Sequence, residues 1–165
     1  MAPGGRPVRG RLPPMSPSLA ERLVGAWILE SYEADDPDGT VSTPFGPDAT
    51  GLLVYGADGR MTVQVIDPRR PRWERRAPED ERRAQVTAAA DGYIAYAGRF
   101  EVEETAVPTV IHHVEISLVP NWVGRPQRRT VALDGDRLRL TAPPLEVAGR
   151  TTIPRLTWRR DGRGA

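Results

Sequence analysis

From residue 25 onward, apolar and polar side chains alternate in short runs, the period-two pattern of strands with one buried face. "WILESYE" places Trp27, Leu29 and Ser31 on one face and Ile28, Glu30 and Tyr32 on the other. "TGLLVYGADGRMTVQVI" gives two strands, about 50–56 and 60–66, joined by a tight turn at "GADG". In "YIAYAGRFEVE", Tyr96, Gly98, Phe100 and Val102 oppose Arg99, Glu101 and Glu103. "TVIHHVEISLV" continues the series, followed by "RRTVALDGDRLRLT", a hairpin turning at Asp134-Gly135. "IPRLTWRR" closes the chain's pattern with Leu156 and Trp158 inward.

Two segments break the alternation. "SLAE" has the form of a capping box, Ser18 as N-cap and Glu21 at the third helical position, and predicts a short helix that Gly25 ends. Pro78 and the acidic run Glu79, Asp80 and Glu81 open a longer helix through the alanines to Asp91, with Gly92 as its stop. The count is eight strands, with this helix after the third. Eight antiparallel strands with short turns pack as a sandwich or a closed barrel. Eight is also the size at which a barrel interior holds one small ligand. The helix is too small to cover an open sheet of that width but suits a barrel mouth.

Composition narrows the chemistry. The chain has 165 residues, 39% hydrophobic and 27% charged, which fits one soluble domain, expected over 18–161. Residues 1–17, rich in Pro, Gly and Arg, are expected to be a disordered extension, and Met15 is a candidate start. The extension has no apolar run of the kind a signal peptide requires, and no window matches a membrane helix, so a cytoplasmic location is expected. There is no cysteine, which removes disulfides and thiolate chemistry. Every one of the basic residues is arginine, so Schiff-base chemistry on lysine is excluded. A net charge of +1 is too balanced for a nucleic-acid binder that works through a basic face. The expected partner is a small hydrophobic ligand, with neither nucleic acid nor membrane, and a homodimer is left open. No metal and no organic cofactor is expected.

"GAW", Gly25 to Trp27, opens the first strand after a short helix and resembles the G-x-W signature of lipocalins. Taken with "LVGAWILESYE", "FGPDATGLLVYGADGRMTVQV", "YIAYAGRFEVE", "HHVEISLVPNWVG" and "LDGDRLRLT" in this order, the chain resembles the lipocalin-like domain family of short standalone bacterial and fungal proteins over about residues 19–160. That resemblance implies an eight-stranded up-and-down antiparallel barrel around a cup for a small, largely apolar molecule. It implies that Gly25 and Trp27 build the closed base, with an arginine from the chain end packed across the indole. Arg159 or Arg160 is the match, and Arg159 is taken first. Disulfides, a signal peptide and a T-D-Y-type motif, marks of secreted lipocalins, are missing. Some lipocalin-fold proteins of bacterial biosynthetic clusters are cofactor-free cyclases or isomerases on polyketide-like substrates. The resemblance therefore implies a binder of secondary metabolism, with a cyclase or isomerase of polyketide- or terpenoid-like substrates as the alternative.

The two histidines are adjacent, and neighbours on a strand face opposite sides, so His112 and His113 cannot share a metal. Ser117 is four residues from His113, about 13 Å on an extended strand, too far for a nucleophile–base pair. His112 shares its face with Val114, Ile116 and Leu118, which predicts that it looks inward. It either fills space, bonded to a tyrosine or a carbonyl, or acts with Tyr96 as the proton-active pair of an apolar cup. Tyr55, Phe100, Val114, Ile116, Trp122 and Arg128 are the candidate ligand-binding residues around them. Of Arg128 and Arg129, one is expected to point inward, and Arg128 is the choice.

Overall fold

A computed structural model describes residues 16–147 and 149–162. The expected disordered extension lies, up to residue 15, outside the described residues, as does the candidate start at Met15.

Helix α1 (Leu19–Leu23) begins as its sequence predicts. Ser18 Oγ accepts from the Glu21 N–H, and the Ser18 N–H donates to Glu21 Oε2 at 2.8 Å. Among the described residues ten strands follow: β1 (Gly25–Asp35), β2 (Val41–Ser42), β3 (Thr50–Tyr55), β4 (Arg60–Ile66), β5 (Tyr93–Glu103), β6 (Thr109–Ser117), β7 (Pro126–Asp134), β8 (Arg137–Thr141), β9 (Leu145–Val147) and β10 (Arg150–Arg160). Helix α2 (Glu79–Asp91) lies between β4 and β5. The two strands beyond the expected eight are the short β2 and β9, which pair only with the outer parts of β1 and β10. The remaining eight form an antiparallel barrel, each bonded to its sequence neighbour and the first to the last.

One end is plugged. Trp27, fully buried, donates its indole N–H to Leu23 O at 2.9 Å, so it satisfies a carbonyl that α1 leaves open at its C-terminus. The Arg160 guanidinium stacks over the same indole at 4.1 Å and donates to Val24 O at 2.9 Å and Arg22 O at 2.6 Å. Gly25 starts the strand with φ +131°, and a Cβ there would meet Arg160 Nη1 at 2.9 Å. The φ calls for glycine at this point, and a Cβ would also push the Arg160 guanidinium aside. Above the plug lies the packed core of Leu23, Leu53, Tyr55, Met61, Val114, Val131 and Leu138.

Two bulges break the alternation that the sequence displays. Between Leu29 and Ser31 the register of β1 against β10 shifts by one residue, at Glu30. Beyond it Tyr32 turns inward, not outward as strict alternation predicts. A second extra residue, Glu115, sits on β6, where Gly98 of β5 pairs with Val114 and Ala97 pairs with Ile116. Gly98 makes room for it, because a Cβ there would lie 1.9 Å from His113 O. The expectation that Ile116 and Leu118 face the interior is therefore corrected: Ile116 is 71% exposed and Leu118 is also exposed. Ser117 takes the place opposite Tyr96.

Helix α2 is a rim element with no buried residue. Its C-terminus is held from outside by Arg70, which donates to Ala89 O at 3.3 Å and lies over the Tyr93 ring. A Gly98→Ala variant should lose about 1–3 kcal/mol in urea denaturation, the range for forcing an extra carbon into a filled site. Gly162→Ala, with nothing near its Cβ, should stay within about 0.5 kcal/mol of wild type.

Candidate ligand cavity

The upper half of the barrel is hollow. A cavity of about 670 Å³ lies between the packed core and the end where the chain leaves β1, β4 and β6 for its long loops. That volume falls in the range of sites for small organic molecules. Leu53, Val63 and Val65 on one side and Leu140, Leu156 and Trp158 on the other supply apolar walls. Phe45, Asp91, Asn121, Trp122, Arg125 and Leu145 come from loops, short elements and the end of α2 around the mouth. Trp122, in a single 3₁₀ turn (Pro120–Trp122), meets the Tyr96 ring edge-on at 5.7 Å.

At the floor, three side chains from three strands meet. His112 is 1% exposed, and its Nε2 lies 2.7 Å from Tyr55 Oη while its Nδ1 lies 2.9 Å from Tyr96 Oη. Burial pushes the imidazole pKa down to about 3, and the charge on Arg129 and the neighbouring His113 push it the same way. Burial raises both phenols above their usual value, with Arg129 opposing it in each; for Tyr55 the nearby Tyr96 adds to the rise. All three groups are therefore neutral at physiological pH.

Neutrality fixes the protons. A neutral imidazole has one N–H and one lone pair, so one phenol donates to it and the other accepts from it. Tyr55 is 1% exposed, lies beneath the cavity and has no other hydrogen-bond partner among the described residues. If it accepted from Nε2–H, its own proton would be buried without an acceptor, at a cost of about 1–3 kcal/mol. The satisfied arrangement has Tyr55 donating to Nε2 and the Nδ1–H donating to Tyr96. The Tyr96 O–H, on the cavity wall, is then left to donate to whatever fills the space. Both imidazole nitrogens are occupied, so this trio presents a hydrogen-bond donor to the cavity and His112 offers no free base.

The remaining predicted residues separate into three groups. His112, Tyr96 and Trp122 line the cavity. Tyr55, Phe100 and Val114 lie in or against the core below it, with the Tyr55 and Phe100 rings 4.6 Å apart. Ile116 and Arg128 are outside the barrel; Arg128 is exposed and pairs with Glu103. Arg129 is the inward member of its pair and lines the cavity with Gln127. At the base the same exchange occurs: Arg159 is exposed toward Glu30, and Arg160 packs on Trp27. In both cases the inward residue lies two positions from an apolar inward one, Val131 or Trp158, a signal already present in the alternation. His113 faces outward and pairs with Glu101 at 3.0 Å.

Comparison with known proteins follows this geometry. The family model described as a lipocalin-like domain matches residues 24–161. The chain is 38% identical over 106 residues to the 4′-hydroxy-3′-methoxypropiophenone carrier protein of Aspergillus oryzae, a match that covers 61% of this chain and 96% of that protein. No solved structure matches the chain.

Because His112 is neutral in the fold and ordinary when unfolded, the unfolded chain binds the extra proton between pH 6.5 and about 3. This contribution to stability is complete above the unfolded value and is lost as pH falls through that window. Melting temperature measured against pH should fall more steeply below pH 6.5 in wild type than in His112→Gln, and equal slopes would exclude the buried neutral imidazole.

Proposed function

The chain belongs to the lipocalin-like domain family, and on that footing we propose that it is a carrier that holds one small, largely apolar molecule inside its barrel. The observation that carries this reading is the cavity itself: apolar and aromatic walls with one oriented phenolic donor at the floor. Such a site rewards a flat, apolar skeleton bearing an oxygen acceptor, which the Tyr96 hydroxyl orients. The fungal relative's name specifies an aryl ketone as its cargo, a molecule of that kind, and supports a role in secondary metabolism. Among the described residues no helix is long and apolar enough to cross a membrane. A cytoplasmic location remains part of this proposal.

A cofactor-independent cyclase or isomerase would use the same His112 and Tyr96. Proton abstraction needs a base within reach of the substrate, and both nitrogens of His112 are already taken by phenols. Carriage is the reading that the geometry favours.

Isothermal titration with 4′-hydroxy-3′-methoxypropiophenone tests it. Wild type should bind the ketone and return it chemically unchanged after incubation, as read by chromatography. Tyr96→Phe should bind about 5–10-fold more weakly, the loss expected for one buried hydrogen bond. Ile116→Ala, outside the barrel, should match wild type. Equal affinity in Tyr96→Phe would remove the phenol from recognition, and turnover of the ketone would replace the carrier with an enzyme.

A further inference from the structure

Arg129 is a half-buried cation on the wall of a largely apolar cavity, and among the described residues no carboxylate pairs with it. Its bonds go to neutral acceptors: Nη1 donates to Arg128 O at 2.7 Å and Nη2 to Gln127 Oε1 at 3.4 Å. Among the described residues it makes no ion pair with a carboxylate. The other arginines in comparable burial are differently placed. Arg155 sits between Glu33 and Asp35 at 2.8 and 2.6 Å. Arg160 pairs with Asp136 and donates to the end of α1. Arg70 donates to the end of α2 and covers an aromatic ring.

The charge also reaches into the cup. Tyr32, Tyr55, Tyr96 and His112, from four different strands, each feel the Arg129 cation in the direction that favours a more negative state. Asp91 and Arg125, the other charged residues of the lining, carry opposite signs and lie toward the mouth, so Arg129 leaves the cavity with a positive balance. A guanidinium withdrawn from water is expensive unless a counter-charge meets it. Its planar fork suits an oxyanion better than a ketone oxygen.

We propose that the cargo is an organic acid, an apolar skeleton carrying one anionic oxygen group that binds to Arg129 within the barrel. The inference rests on the carrier reading and deepens it: the cavity selects for an ionised carboxylate or phenol over a neutral molecule of the same shape. Tyr96 supplies a second donor for the same ligand.

Titration calorimetry on the full chain at low salt, with 2-naphthoate and 2-acetonaphthone, holds the skeleton constant and changes the charge. Naphthoate should bind wild type about tenfold or more tightly than the ketone. Arg129→Gln should remove that preference while changing ketone affinity less than about twofold, and Arg129→Lys should restore part of it. Arg128→Gln, one residue along and outside the barrel, should behave as wild type. A third ligand, 6-acetyl-2-naphthol, measured below and above its own ionisation, separates the two acids: tighter binding of the ionised form assigns a phenolate, and a gain confined to naphthoate assigns a carboxylate. If the ketone binds and no anion binds better, or if the preference survives in Arg129→Gln, the acid inference is overturned and the carrier reading stands. If none of these ligands binds folded wild type, the carrier reading fails and the inference falls with it.

Discussion

The seam between β1 and β10 is the contact on which the rest of the molecule depends. Its register sets Trp27 directly opposite Arg160, so the first turn of the barrel and the last meet at one aromatic face. There the guanidinium does two jobs at once, covering the indole and satisfying carbonyls that α1 would otherwise leave open beneath the barrel. A cation–π contact with a partly exposed guanidinium contributes about 0.5–2 kcal/mol, but its larger effect is geometric. It seals one end, and the side chains above the seal are buried.

Burial at the floor determines the chemistry there. An imidazole placed there cannot afford a charge, and two phenols of matching depth satisfy both of its nitrogens. The hydrogen bonds run in one direction because only one of the phenols borders open space. The result is a donor presented to the ligand by groups that hold one another in place, a preorganised arrangement that spares the ligand the cost of ordering them. Arg129 adds a charge to the same space from a neighbouring strand. Loops and the end of α2 form the mouth, as befits an entrance on a rigid scaffold.

Much of this was legible along the chain. The capping box, the hairpin turns, the inward side of β5 and the opposite directions of His112 and His113 all follow from local rules acting within single elements. The barrel closure around G-x-W was readable by resemblance. Arg129 and Arg160 follow from the same alternation, counted from Val131 and Trp158, whereas the first arginine of each pair, Arg128 or Arg159, is the exposed one. Ile116 and Tyr32 are a different matter. Their faces are set by extra residues at Glu115 and Glu30, and a bulge belongs to two strands at once. Gly98 marks the place where the partner backbone comes close, yet a lone glycine in a strand does not name the residue it accommodates.

The sequence by itself determined which segments become strands, where they turn, and which side of each unbroken run is apolar, because alternation and turn chemistry act between residues close in the chain. The tertiary structure decided where that alternation is interrupted, which arginine meets an indole and which meets a cavity, and which two phenols hold His112. Those outcomes depend on register between strands and on the depth of burial, and both come into being only when the barrel closes.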